Sequence, residues 1–403
     1  MDAPHVLRRR VLIALVPVVG IIMTIHLVQA SVGKHLQTAA PLNGMDPSLV
    51  VPALPTGADE SPADGTRDGA RGRDSRGGDD DDALVIAAVG DIMLGTTYPD
   101  SLPQLPAGNG EALLAPFADV LRAADVAFGN LEGPLADGGR TTKCSDTSRQ
   151  CYVFSTPTRF VRTLVGAGFD VLSLANNHAM DFGVAGRNST IRVLDSAGIA
   201  WSGPPGSVAR LERRGRRIAC IAFSYDDDSN NLLRIGEAAE RVRELSHEGA
   251  IVVVSFHGGA EGAAATGTPD SMEIFLGDRR GHVRAFARAM VDAGADLVLG
   301  HGPHVLRAME VYRERLIAYS LGNFATWARF NLSGPSGIAC VLEVRVDSDG
   351  RFVGGRVHPS LQTGNGGARR DAKARAIDIL TRLSKSDFPE TGITLEPDGR
   401  MSM

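Results

Sequence analysis

With 403 residues the chain is long enough for a large buried core and one or two domains. A net charge of −5, with no basic stripe interleaved with aromatics, excludes nucleic acid as the expected partner. Four cysteines without a CxxC pair make neither a disulfide scaffold nor a zinc cluster.

Arg8, Arg9 and Arg10 stand directly before a mainly apolar run, residues 11–30. That length matches a bilayer-spanning helix, and the arginines predict a short cytoplasmic segment over 1–10. Val28 and Ala30 also match a signal-peptidase site, so a cleaved signal is the alternative to a retained anchor. A twin-arginine signal is a third option, although the lone RRR lacks the rest of that pattern. The expected location is the cell membrane, single-pass, with the bulk of the chain outside the cytoplasm; secretion is the alternative. Residues 31–82, rich in Pro, Gly, Ser and Asp, read as a flexible spacer.

The folded domain is expected over residues 83–366. LVIAAVG reads as a buried strand leading to Asp91, and apolar spacing predicts a helix over 111–124. DVAFGN follows as a strand, PTRFVRTLVGAG as a helix with proline near its start and glycine at its end, and DVLSLANNH as the next strand. VAGRNSTIRVLDSAG is a helix closed by Gly198. Beyond Trp201, SVARLERRG and RIACIAFS are short strands joined by a glycine turn. A helix over 237–248, the strand IVVVSFHGG, the helix GHVRAFARAMVDAG and the strand DLVLGHGPH come next. From Ala308, AMEVYRERLIAYSLGNF, GIACVLEVRVDSDG and RFVGGRVHP read as antiparallel hairpins, on the alternation in LEVRV and the Asp349–Gly350 turn. Residues 367–403 hold one predicted helix, 370–383, and a tail. A parallel first half meeting an antiparallel second half predicts two sheets face to face with helices outside.

The chemistry gathers where apolar runs stop. VLSLANNHAMDFG ends its run in Asn176, Asn177 and His178, with Asp181 behind. Asp91, Asn130 with Glu132, His257 with Glu261, and His301 with His304 follow four other runs. Ligands bind at the carboxyl edge of open α/β sheets, so five such runs predict one convergent site. Taken singly, each residue is better read as a turn or helix cap; together they form the donor set of zinc, manganese or iron. Tyr319, Ser320 and Asn323 either line a substrate pocket or satisfy a hairpin corner. Asp181 either orients a histidine or caps the helix beginning near Gly183, and Glu310 is expected to face solvent or pair on its own strand. Cys144 and Cys151 bracket a polar loop and close a disulfide if the domain is exported, whereas Cys220 and Cys340 read as buried hydrophobes.

GDIML, NLEGPL, SLANNHAMDFG, HGGAE, GHGPHVLRAMEVY and IAYSLGNF, in this order, resemble the CapA-type capsule and poly-γ-glutamate biosynthesis family over residues 83–326. That family is similar in turn to the calcineurin-like metallophosphoesterases. The resemblance implies an α/β fold, a four-layer α/β/β/α sandwich, behind the amino-terminal transmembrane helix. It implies a site for one or two divalent ions (Mn, Fe or Zn), with Asp91, Asn130, Asn177, His257, His301 and His304 as ligands. His178, with Asp181 beside it, is then the acid that protonates a leaving group, and Glu132, Asn176, Glu261, Ser320 and Asn323 face substrate. Its implied partners are membrane-embedded polymer synthase subunits, an anionic polymer and the lipid bilayer.

Two departures change the metal arithmetic. Met93 stands where the metallophosphoesterase pattern has a histidine, and a thioether is a poor ligand for hard divalent ions. Asn130 replaces the bridging aspartate and brings no charge to hold two cations together. A one-metal site and a metal-free pocket therefore stand beside the two-metal site. Gly258 and Gly302, where the family more often has an aromatic residue and a histidine, are expected to widen the pocket. Three functions follow: a membrane-anchored assembly component with a metallophosphoesterase-type site, an extracellular metal-dependent hydrolase of phosphoester or polymer amide bonds, and a non-catalytic polymer-binding scaffold.

Overall fold

The computed structural model describes residues 82–100, 102–144 and 151–401. The expected cytoplasmic segment, membrane helix and nearly all of the spacer lie outside those residues. Among the described residues no helix is long and apolar enough to cross a membrane.

The first half runs β1 (Leu84–Met93), α1 (Ala118–Ala123), β2 (Val126–Leu131), α2 (Val161–Ala167), β3 (Val171–Ser173), α3 (Gly183–Ala197) and β4 (Ala200–Ser202). Then come β5 (Ala209–Arg213), β6 (Arg216–Ser224), β7 (Asn230–Asn231), α4 (Ile235–His247), β8 (Ile251–His257), β9 (Glu273–Phe275), β10 (Asp278–Gly281) and α5 (Val283–Asp292). The chain continues through β11 (Leu297–His301), β12 (Met309–Tyr312), β13 (Arg315–Ala318), β14 (Asn323–Thr326), β15 (Ile338–Val346) and β16 (Phe352–Leu361). It ends with β17 (Arg369–Arg370), α6 (Arg375–Asp387) and β18 (Arg400–Met401).

β9 and β10 pair as a separate antiparallel hairpin, and the other strands make two mixed sheets. The first follows the order β17-β16-β15-β1-β2-β3-β4, with β14 beside β1 and β18 beside β16. The second follows β12-β13-β11-β8-β6-β5, with β7 beside β6. Each has a parallel centre, β1 to β4 in one and β6, β8, β11 and β13 in the other. Each also has antiparallel neighbours, β15 with β16 in one, and β5 and β12 in the other. The expected division into a parallel first half and an antiparallel second half is therefore corrected. The stretch read as one hairpin, AMEVYRERLIAYSLGNF, makes a hairpin only from β12 to β13. Residues 319–322 then cross between sheets, so that β14 runs parallel to β1.

Strand periodicity explains the layers. Leu84, Ile86 and Ala88 of β1 share an inter-sheet core with Cys220, Val253, Leu297 and Leu299. Ala87 and Val89 face the other way, into a core with Phe117, Leu121, Leu164 and Leu194 from the first helical layer. On the second sheet Ala219, Ile221, Val252 and Val254 meet Val242, Phe286 and Met290 of α4 and α5. Each fully buried aliphatic side chain contributes about 1.5–3 kcal/mol.

Two helices start later than expected, for local reasons. Over 111–124 the chain makes two short 3₁₀ turns, Glu111–Leu113 and Ala115–Phe117, before α1; Pro116 sits inside the second and withholds an N–H. The predicted helix over 370–383 is displaced because Arg369 and Arg370 pair with β16. Asp371 then accepts the Lys373 and Arg375 N–H groups, and α6 begins at Arg375.

Candidate metal centre

Parallel strands deliver their ends to one edge of the sandwich. Register places Asp91 opposite both Asn130 and Asn323 in the first sheet, and His257 opposite His301 in the second. His304, three residues past β11, adopts a left-handed backbone (φ +60°), a conformation that costs a non-glycine residue on the order of 1–3 kcal/mol and clusters at functional sites. It turns its Nδ1 onto Asp91 Oδ2 at 2.9 Å. Asn130 Nδ2 donates to the other Asp91 oxygen at 2.8 Å. His304 Nε2 lies 3.7 Å from Glu132 Oε1 and 3.8 Å from Glu261 Oε2. Ligand atoms of Asp91, Glu132 and His304 all fall within 4.8 Å of one another.

Burial and charge set the protonation states. Burial pushes Glu132 up to about 8, against the pull of His304. Burial also opposes a charge on His304, but Glu132 and Asp91 overcome it and raise that imidazole to about 10. For Asp91 the order is reversed: burial would raise it, yet the His304 hydrogen bond and charge hold it below its ordinary range. Burial depresses His301 to about 4 and takes His257 well below its usual value. At neutral pH the centre thus holds a charged Asp91–His304 pair beside two neutral imidazoles, the form in which histidine binds metal.

Five buried polar atoms around that pair have no hydrogen-bond partner: both Glu132 oxygens, His257 Nε2, and both ring nitrogens of His301. Each such orphan costs about 1–3 kcal/mol. The oxygen and imidazole donors of Asp91, Glu132 and His304 that come within 4.8 Å of one another fit a divalent cation of the Mn, Fe or Zn type, and His257 and His301 add unpartnered imidazole nitrogens beside them.

Several expected ligands are placed otherwise. The Leu131 carbonyl accepts Asn176 Nδ2 at 2.9 Å and the His178 N–H bonds Asn176 Oδ1 at 3.1 Å, which fixes that amide. Asn176 Nδ2 in turn donates to Asn130 Oδ1 at 3.2 Å, so Asn130 presents its NH₂ to Asp91 and holds the carboxylate instead of supplying an oxygen. Asn177, expected as a ligand, lines the cleft described below, outside the Asp91–Glu132–His304 group, with its Oδ1 buried and unpartnered like the atoms at the centre. Met93 sulfur accepts the Gly95 N–H at 3.3 Å. Ser320, expected toward substrate, is fully buried and accepts its own turn's Gly322 N–H. Asn323 touches His304 Nδ1 at 3.1 Å and so belongs to the centre's support, not to a substrate surface. Tyr319 stacks on Phe388 and bonds Glu310, far from a corner exposed to substrate. Glu310 does not face solvent: it is fully buried, with a forked pair to Arg288 at 3.0 and 2.6 Å. Gly258 and Gly302 do not widen the pocket. A Cβ on Gly258 would sit 2.7 Å from the Arg280 carbonyl, and one on Gly302 2.9 Å from the Gly258 backbone.

Beside the centre opens a cleft of about 650 Å³, lined among others by His178, Asn177, Glu261, Arg280 and Lys143. His178 Nδ1 is shared between Asp181 Oδ2 at 2.8 Å and Lys143 Nζ at 3.1 Å, and with the carboxylate as its nearer partner it carries the ring proton, which leaves Nε2 as the free ring nitrogen. Asp181 therefore orients the histidine and does not cap α3, whose amino-terminal cap makes no side-chain hydrogen bond. Burial, with Lys143 adding to it, keeps His178 below its ordinary range in spite of Asp181. In that neutral state His178 takes a proton at Nε2 before it gives one. Cys144 and Cys151 are joined as a disulfide, and Cys220 and Cys340 are buried free thiols.

Two cleft residues carry no motif in the sequence. Arg280, on a hairpin strand, pairs with Glu261 at 2.8 Å and bonds the Gly259 carbonyl and the Tyr225 hydroxyl. Lys143 bonds Asp181 and the Asn177 carbonyl, and its place beside Cys144 is the signal the sequence offers.

A family model described as bacterial capsule synthesis protein PGA_cap matches residues 85–327. This chain belongs to that family. Among PGA_cap relatives, the PGA biosynthesis protein CapA of Bacillus subtilis (strain 168) is 32% identical over 267 residues, covering 60% of this chain and 63% of that protein. The capsule biosynthesis protein CapA of Bacillus anthracis is 28% identical over 268 residues, covering 61% and 60%. The match thus spans a little under two thirds of those relatives. Among solved structures, TT1561 of Thermus thermophilus is similar with a TM-score of 0.37 and 12% identity, over 70% of this chain and 99% of that one.

Proposed function

We propose that this PGA_cap domain is an extracytoplasmic, membrane-tethered component of capsule or poly-γ-glutamate assembly that works through a metal-dependent, metallophosphoesterase-type site. The observation that carries the reading is the Asp91–Glu132–His304 cluster, whose ligand atoms lie within 4.8 Å of one another, with buried unpartnered atoms on Glu132, His257 and His301. Asp91, Glu132, His257, His301 and His304 would hold the ion. When bound, such an ion polarises a phosphoryl or carbonyl oxygen and lowers the pKa of a water. Asn130 and Asn323 fix Asp91 and His304 in place. His178, oriented by Asp181, accepts a proton at Nε2 and returns it to a leaving group in the cleft. A metal-free clamp for an anionic polymer fits less well, because the cleft walls carry Asp226, Asp228, Glu261 and Asp278 against Lys143 and Arg280.

Metal content of the purified full-length protein, beside the Asp91→Ala, His257→Ala double variant, tests this. Near-stoichiometric manganese, iron or zinc that is lost in the variant supports the site and justifies screening phosphoester and γ-glutamyl substrates. No metal under any loading condition overturns it.

A further inference from the structure

Asp181 is buried, and each of its oxygens is held from a different arm of one disulfide. Lys143, directly before Cys144, bonds Oδ1. The Phe154 N–H, three residues past Cys151, bonds Oδ2 at 2.7 Å. The two arms also bracket the histidine: the Phe154 ring stacks on His178 with centroids 4.1 Å apart, and Lys143 Nζ bonds the Asn177 carbonyl at 2.8 Å and lies 3.1 Å from His178 Nδ1 itself. Cys144 and Cys151 join these arms with their Cα atoms 5.7 Å apart.

A lysine has a long, mobile stem, and ordering it costs up to about 2 kcal/mol of side-chain entropy. A cross-link at the adjacent residue restricts the backbone that carries this side chain before the side chain is ordered. A buried carboxylate also needs its counter-charge, because removing one partner of such a pair leaves the other unpaired at several kcal/mol. We propose that Lys143 is a positioning residue of the His178 site, held in place by the Cys144–Cys151 disulfide, so that His178 is locked with its Nδ1 proton on Asp181 only in the oxidised protein. The inference rests on reading His178 as the proton carrier of the proposed function and needs nothing of the metal centre. It makes the cleft competent after export into an oxidising compartment and slack before it.

The test follows the His178 imidazole Nδ1–H resonance in full-length protein labelled with ¹⁵N-histidine, which requires neither substrate nor metal. Dithiothreitol supplies two electrons and two protons to Cys144–Cys151 and closes to its own ring disulfide. In oxidised wild type the proton is expected to exchange slowly with solvent. Reduction, or Lys143→Met, is expected to speed its exchange about tenfold or more, the loss of one charge-assisted hydrogen bond. Reducing Lys143→Met should add nothing further, since both changes release the same contact. Cys144→Ser with Cys151→Ser should match the reduced state without reductant. Should that double variant fail to fold, reduced wild type and Lys143→Met still decide, with core methyl spectra reporting the fold. Unchanged exchange in either, or additive effects of the two, overturns the proposal. A protein that shows the exchange pattern but binds no metal keeps this inference and loses the proposed metal site.

Discussion

Asp91 and His304 are 213 residues apart in the chain, yet the imidazole Nδ1 meets the carboxylate at 2.9 Å. Asp91 comes from the first sheet and His304 from the loop leaving the second, so the pair ties the two sheets at their shared edge. Asn130 fixes the orientation of that carboxylate from the opposite oxygen. Asn130→Ala is expected to weaken metal binding about 10–100-fold, the usual loss when a group that orients a ligand is removed. Competition titration against a chelator of known affinity checks it; an unchanged affinity would show that the amide is dispensable.

Metal binding should release protons. Glu132 stays protonated up to about 8 and His304 up to about 10, and both must give up a proton to become ligands. About two protons should leave per ion at pH 7, and affinity should climb as pH rises from 6 to 8. Calorimetry in two buffers of different ionisation enthalpy reads the proton count directly. Zero release would exclude Glu132 and His304 as ligands.

Glu132 should leave its own mark on the pH dependence of the metal-free domain's stability. Burial lifts Glu132 from 4.5 in the unfolded chain to about 8. Its contribution is fully present below 4.5 and is lost as pH rises toward 8, because the folded state then must carry a buried carboxylate. Glu132→Gln has no such proton to lose. The buried His257 and His301 act in the opposite sense but are common to both proteins, so the urea midpoint of the metal-free wild type should fall relative to that of the variant between pH 5 and 8; parallel slopes would sink the assignment.

Arg307 makes a structural prediction with a functional edge. It is fully buried and forked onto Glu273 at 2.9 and 2.8 Å, and it also bonds the Ala260 and Ala265 carbonyls. These contacts pin the loop that carries Glu261 beside the centre. Arg307→Met leaves Glu273 buried and unpaired, for an expected loss of about 3–5 kcal/mol. Urea unfolding gives the number, and a loss under 1 kcal/mol would mean the loop is held by other contacts.

Much of this arrangement is legible in the sequence, and the reasons differ by residue. Asp91, Asn130, His257 and His301 end apolar runs, and parallel strands bring such ends to one edge whatever their order in the sheet. Periodicity therefore suffices to gather them. It does not tell which atom each presents: Asn130 turns its NH₂ inward only because Asn176 is fixed by two backbone groups, a long-range chain of hydrogen bonds with no local signature. Glu310 escapes for the same reason, since its partner Arg288 lies on a helix 22 residues earlier. Tyr319 and Ser320 read as a corner because nothing in YSLGNF announces a crossing between sheets. Gly90 carries the trace of that crossing: a Cβ there would lie 1.8 Å from the Gly322 carbonyl, a close approach visible only in three dimensions.

The divided origin of the centre has one more consequence. Neither sheet alone brings the whole donor set: Asp91 and Glu132 come with one, His257, His301 and His304 with the other. A chain in which only one half has folded therefore offers no complete ligand set, and an ion captured there would act as a rivet driven through both plates. Retention of that ion during purification would then serve as an inspection stamp, present only on molecules whose two halves have closed on each other.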